Sequence, residues 1–246
     1  MPNHAAGFSP KTYARTAGFL YLIVIVAGVF AEMVARNPLV VAHDAATTAQ
    51  NILAHQTLFR MGFSAELVAC LCNIPLALIF YELFKIVNKR VTLLTVFFSL
   101  VGTAIESMDL LNHFSPLIFL QGIQNLRIDP DVMQAQAYLA LTQQSIGFAI
   151  ALTYFGGFCL SLGYLIYKSD FMPRVIGVLL AIEGVCYLAN SFTLFLVPQH
   201  ASFVFSLLIV SALAELILCL WLLVMGVNVE RWEEKAGMKA SSKLVS

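Results

Sequence analysis

Charge is what this sequence has least of. Its 246 residues include 14 Lys and Arg and 14 Asp and Glu, 11% charged in all, where a soluble domain carries about 25%. That shortage excludes most water-soluble folds, because a soluble surface needs charge in rough proportion to its area. A basic patch is missing too. The formal net charge is zero, which argues against nucleic acid as a partner. No disulfide framework is present, since Cys70, Cys72, Cys159, Cys186 and Cys219 each lie inside an apolar run. Cys70 and Cys72 form C-x-C, whose thiols stand about 200° apart on a helix and suit a metal poorly. All five read as small buried hydrophobes. Catalytic signatures are missing as well: there is no G-x-S-x-G, Walker sequence, H-E-x-x-H or G-x-G-x-x-G. The sequence therefore names no catalytic residue and no cofactor.

What is present is hydrophobic length. Apolar residues make up 60% of the chain and the mean hydropathy is +0.84, so the lipid bilayer is the partner and solvent of most of it. A hydrocarbon core about 30 Å thick needs about 20 apolar residues in a helix. Six runs of that order occur, at residues 16–35, 59–84, 91–120, 144–167, 172–197 and 202–227. They predict an all-α, polytopic integral membrane helix bundle over residues 16–227, with segments 1–15 and 228–246 outside it. A cleavable signal peptide is the weaker reading of the first run, which exceeds the 7 to 15 apolar residues of a signal core and has no cleavage site behind it.

Orientation follows from where the cations fall. With the N-terminus inside, the inner segments hold Lys11, Arg15, Lys85, Lys89, Arg90, Lys168, Arg174, Arg231, Lys235, Lys239 and Lys243, and the outer ones hold only Arg36, Arg60 and Arg127. Both termini are expected in the cytoplasm. Of the outer loops, residues 43–57 open with the helix cap Asp44 and place Ala45, Ala49, Ile52 and Leu53 on one side, as in a short interfacial helix. Residues 121–143 read as a turn at Asp129-Pro130, then an extension of the fourth helix capped by Asp131.

The blocks ARTAGFLYLIVIVAGVFAEMVAR, DAATTAQNILAHQTLFRMGF, YELFKIVNKR and AELILCLWLLVMGVN resemble the bacterial membrane proteins grouped as domain-of-unknown-function family 4386, over roughly residues 11–230. The resemblance implies a prokaryotic, six-span inner-membrane protein. It carries no catalytic residues over to this chain.

Ionisable residues inside the runs are the remaining signal, because each costs about 2.5–3.5 kcal/mol at mid-membrane and is normally turned inward. Glu66 lies about two turns into the second run. Glu106, Asp109 and His113, spaced by three and four, share one face of the third. Glu183 falls mid-way along the fifth, followed by Tyr187 and Asn190, and Glu215 falls mid-way along the sixth, with Ser211 one turn before it. Counting about 1.5 Å per residue places the carboxylates in the middle to outer half of the membrane. Glu32 and Arg60 read as rim anchors or an ion pair, leaving Arg60 as the one basic partner within reach.

Three readings compete. A cavity lined by Glu66, Glu106, Asp109, Glu183 and Glu215 would bind or move a cation, a proton or a cationic small molecule. A membrane-embedded metal enzyme acting on lipid would use Glu106, Asp109 and His113 with Glu66 or Glu183, although a single embedded histidine is few for zinc. A non-catalytic sensor or partner subunit would use the polar residues only to join helices, as interhelical hydrogen bonds do.

Overall fold

The computed structural model describes residues 9–122, 128–200, 206 and 208–237, and every regular element among them is helical. Arg127, the start of the sixth run at residues 202–205 and 207, Lys239 and Lys243 lie outside the described residues. Helix α1, Pro10–Val29, begins six residues before the predicted run. Pro10 presets the first turn, and the Ser9 hydroxyl accepts the Thr12 amide at 3.2 Å. Beyond Val29 the backbone widens into a π-helical stretch, Phe30–Arg36, and tightens into a 3-10 turn at Asn37–Leu39.

Helix α2, Ala45–Ala54, is capped by Asp44, whose Oδ1 accepts the Thr47 amide at 2.8 Å. Its buried face is Thr48, Ala49 and Ile52, while Leu53 stays exposed. The Thr47 hydroxyl and amide together hold the Asp44 carboxyl below the usual carboxylate range. Helix α3 is Gln56–Gln121, helix α4 Pro130–Ser169, helix α5 Arg174–Leu196, helix α6 Leu208–Val224 and helix α7 Val229–Lys235. The cap of α4 corrects the sequence reading. Asp129, not Asp131, is the capping residue: its carboxylate accepts the Asp131 amide at 2.9 Å, and Pro130 opens the helix without needing a partner for an amide hydrogen.

Helix α3 contains 66 residues, about 100 Å if straight. It is interrupted at one residue, Asn88, whose φ of −158° and ψ of 102° are extended. The Asn88 side chain accepts the amides of Arg90 and Val91 at 3.1 and 3.2 Å, capping the helical stretch on its C-terminal side. Among the described residues, four helical stretches are long and apolar enough to cross a membrane: Pro10–Leu39, Gln56–Gln121, Pro130–Ser169 and Arg174–Leu196. Leu208–Val224 with Val229–Lys235, bent by 96°, makes a fifth if the pair is one span. The second and third predicted runs both fall in α3. Leu71, Leu78, Met108, Leu111 and Leu196 are each more than half exposed, an outward apolar surface that lipid, not water, must cover. The protein is a helical membrane protein.

The chain divides into two compact units. The first comprises Ile23–Cys72 and Val101–Ala151 and has a core of Leu39, Ile52, Phe59, Leu117 and Leu141. The second comprises Met1–Leu22, Asn73–Leu100 and Leu152–Ser246. Its α4 and α5 run antiparallel with backbones touching at two levels. A Cβ on Gly163 would stand 2.6 Å from the Gly177 carbonyl oxygen, and one on Gly184 2.7 Å from that of Gly156. Both glycine pairs recur after seven residues, two helical turns, so one face of each helix carries the seam. In lipid such close approach replaces the hydrophobic effect as the source of cohesion.

Candidate functional site: two buried polar clusters

The single cavity expected from the sequence would have drawn on five carboxylates. The structure assigns Glu66, Glu106, Asp109 and His113 to the first unit and Glu183, Asn190 and Glu215 to the second, and each unit gathers its own.

In the first unit the centre is Arg36. The sequence places it in a loop, yet it is 6% exposed. The π-helical stretch carries it at the end of the first span, where it pairs with Glu32 one turn back. Its Nη1 donates to Glu66 Oε1 at 3.2 Å. The same nitrogen lies 3.3 Å from His113 Nδ1, which lies 2.9 Å from the other oxygen of Glu66. Arg60 is not the basic partner: it is exposed, with its guanidinium 5.4 Å from the Phe114 ring centre. Glu32 accordingly pairs with Arg36.

His113 is fully buried. Its Nε2 lies 3.3 Å from the Phe59 carbonyl oxygen, and the rings of Phe59 and Phe63 flank it at 4.7 and 6.1 Å. Gly62 lets Ala35 pack close beside the imidazole, because a Cβ there would stand 2.6 Å from the Ala35 side chain, whereas His113 Cε1, at 3.6 Å, would be in ordinary contact. Asp109, one turn before His113, is buried and accepts from Asn112 Nδ2 at 2.8 Å. Its carboxylate occupies the space that Gly147 leaves, since a Cβ on Gly147 would be 2.2 Å from Oδ1. Glu106 is half-buried on the same helix and, with Asp109, lies within electrostatic reach of Arg36.

The hydrogen-bond chemistry of His113 is informative. A carbonyl oxygen only accepts, so the Phe59 contact puts a hydrogen on Nε2. Nδ1 then has two exclusive options. Bare, it accepts from Arg36 and the ring is neutral; protonated, it donates to Glu66 and the ring is a cation. Among these four side chains, Arg36 and His113 balance ionised Glu32 and Glu66 in the second state, whereas one negative charge is left over in the first; Asp109 and Glu106 stand on the negative side of either balance. Burial makes that difference costly, because each unpaired charge loses its hydration.

In the second unit Glu183 is fully buried on α5, with Oε1 accepting from the Cys159 thiol at 3.3 Å and Oε2 without a partner among the described residues. The Tyr187 hydroxyl, one turn on, donates to Glu215 Oε1 at 2.9 Å. Tyr21 of α1 lies beside Glu215. The Ser211 hydroxyl, one turn before Glu215, is buried and likewise has no partner among the described residues. Asn190 is buried further along α5. Among the described residues neither Glu183 nor Glu215 enters an ion pair, so a proton or a cation is the natural complement of the orphan oxygen.

Sequence reading missed Arg36 and Cys159. The available signal for Arg36 was Glu32 four residues before it, the spacing of a helical ion pair. Cys159 gave no signal, because only the fold places its thiol against Glu183. Among the described residues no three His, Cys, Asp or Glu side chains are grouped to hold a metal ion. The nearest set sequence reading offered is engaged otherwise, His113 and Glu66 with Arg36 and Asp109 with Asn112.

Neither the curated proteins nor the solved structures contain a match to this chain. A family model does match, over residues 16–226, which spans both polar clusters. The chain belongs to the family described as a domain of unknown function (DUF4386).

Proposed function

We propose that the protein binds and exchanges protons inside the membrane, as the proton-handling part of a transport or pH-responsive cycle. The observation that carries this reading is the position of His113 Nδ1, 3.3 Å from Arg36 Nη1 and 2.9 Å from Glu66 Oε2. One added proton turns the imidazole from an acceptor of the arginine into a donor to the glutamate, so protonation and the choice of partner helix are linked. Glu32 and Glu66 flank Arg36, Asp109 and Glu106 stand on the helix of His113, and Phe59 and Phe63 shield it. A small monovalent cation at the second cluster is the other reading, favoured by Glu183 Oε2 and Ser211 Oγ, buried oxygens without a partner among the described residues. Among the described residues no ligand set supports the metal-enzyme reading.

The proposal includes a topology. With Asn88 as a turn between two spans, α3 supplies the second and third, giving six in all, with both termini cytoplasmic in a bacterial inner membrane and α2 at the outer interface. The excess of cations in alternate loops supports this orientation. Cysteines introduced singly at positions 43 and 88 test it: an impermeant reagent added outside intact cells should label position 43 alone, and labelling of 88 alone would reverse the assignment.

For the proton reading, the test is thermal unfolding of detergent-purified protein across pH, with and without sodium and potassium, for the parent, His113→Gln, Glu66→Gln and Glu183→Gln. The expected result is a pH-dependent unfolding temperature whose response is reduced in His113→Gln and Glu66→Gln. Identical pH profiles in all four proteins would reject the proposal. A cation-dependent shift abolished by Glu183→Gln would establish the second reading.

A further inference from the structure

The seam between α4 and α5 in the second unit opens into a groove of about 480 Å³, within the range of about 300–1,000 Å³ usual for small-ligand sites. Gly163 and Gly177 form its floor, Tyr164 and Tyr167 one wall, and Val178 and Val185 the other. The wall residues are all more than 40% exposed, so the groove faces whatever surrounds the helices. For apolar walls on membrane-spanning helices that surrounding is hydrocarbon. From Leu160 to Tyr167 the groove follows α4 for about 10 Å, the reach of part of an acyl chain.

One end of the groove is charged. The Arg174 guanidinium lies 5.6 Å from the Tyr167 ring centre, over a wall residue, and donates to Asp170 at 3.0 Å. Asp170 also accepts from Lys235 at 3.1 Å, and Arg231 donates to its carbonyl oxygen at 3.1 Å. Lys235 reaches the Lys168 carbonyl as well. Arg174 and Lys235 thus bond a single loop carboxylate, with Arg231 at its carbonyl oxygen and the exposed Lys168 two residues before it in the chain, and the bonds to Lys235 and Arg174 hold that carboxylate below the usual range. The other acids on the neighbouring α7 are Glu230, Glu233 and Glu234, of which Glu230 and Glu234 have partners of their own. An apolar trough ending at a guanidinium and an exposed lysine has the polarity of a lipid with a negatively charged headgroup.

We propose that the α4–α5 groove is an anionic phospholipid site, with an acyl chain lying against Gly163, Tyr164, Gly177 and Val178 and the phosphate at Arg174 and Lys168. Arg174 is placed for this by its stacking on Tyr167, which leaves guanidinium hydrogens free beyond those given to Asp170. The site is independent of the proton chemistry proposed above.

Native mass spectrometry of the whole protein in a non-ionic detergent, titrated with phosphatidylglycerol or phosphatidylcholine of identical chains, tests the proposal. Phosphatidylglycerol should bind about fivefold tighter, the effect of one membrane-surface charge. Arg174→Gln should remove that preference, and Arg174→Lys should keep most of it. Val185→Trp, which fills the groove from its exposed wall, should weaken both lipids. Equal binding of the two lipids, or a preference unchanged by Arg174→Gln, would overturn the headgroup assignment. Unchanged binding to Val185→Trp, or equal binding of glycerol phosphate without chains, would overturn the groove. If Arg174→Gln fails to fold, Lys168→Gln reads the same charge and should halve the preference at least.

Discussion

Replacing Arg36 by Met removes the cation at the centre of the first cluster while keeping a long apolar stem. Its side chain is 7% exposed and that of Glu66 is 12%, so little solvent is available to take over when the guanidinium goes. Among the described residues Glu66 then keeps His113 as its partner, and Glu32 loses its helical one. Breaking a buried pair by deleting one member costs about 3–5 kcal/mol. For a chain of this size 1 kcal/mol corresponds to about 2–4 °C, so Arg36→Met should unfold roughly 6–20 °C below the parent. The assay is intrinsic fluorescence during a thermal ramp of detergent-purified protein. Arg36→Met with Glu66→Gln should recover part of the loss, because the uncompensated carboxylate is gone and only the hydrogen bonds are missing. Arg60→Met, whose cation is exposed, should fall within about 0.5 kcal/mol of the parent, as surface changes do. An Arg36→Met variant no less stable than Arg60→Met, or a double variant worse than the sum of its parts, would refute the account of Arg36 as the buried counter-charge.

The glycines of the first unit should respond according to the space before them. Gly147→Ala drives a methyl into the Asp109 carboxylate and should destabilise by about 1–3 kcal/mol, whereas Gly28→Ala, which meets nothing within 4 Å, should be neutral or stabilise by up to about 1 kcal/mol through helix propensity. Thermal ramps of the two variants decide this. The carboxyls of Asp44 and Asp170 lie below the usual range because of Thr47 and of Lys235 with Arg174. Groups held low stabilise the fold above the unfolded value of about 3.9 and lose that contribution as pH falls through the folded value. Unfolding measured from neutral toward acid pH should therefore steepen on the acid side, and Asp44→Asn with Asp170→Asn should flatten it. At the second cluster, Tyr187→Phe deprives Glu215 Oε1 of its donor and should lower stability by about 1–3 kcal/mol, measurable in the same ramps.

The helices were legible because apolar length and caps are local. Asp44 and Ala49 announce α2 within a few residues, whereas α1 and α4 open at Pro10 and Pro130, ahead of the apolar runs, so run length alone starts those helices late. Asn88 was harder, since Lys85-Ile86-Val87-Asn88-Lys89-Arg90 reads as a loop although only one residue there leaves the helix. Arg36 was misplaced for a related reason. A cation before Asn-Pro looks like the polar end of a span, and whether it turns outward or inward depends on the π-helical widening that local sequence does not display. Glu66 and His113 meet from positions 47 residues apart and Glu183 meets Cys159 across 24. The ionisable members were visible as costly polar residues in apolar runs, but which ones would meet depended on helix pairing, set in the second unit by glycines whose role needs a partner helix to be seen.

Nitrogen-15 magnetic resonance of histidine-labelled protein, with His113 assigned by comparison with His113→Gln, tests the central claim most directly. Spectra recorded from acid to alkaline pH should show Nε2 protonated throughout and both a protonated and a bare Nδ1 signal, in proportions that change in Glu66→Gln and in Arg36→Met. A His113 ring that keeps one protonation state over that whole range would contradict the account.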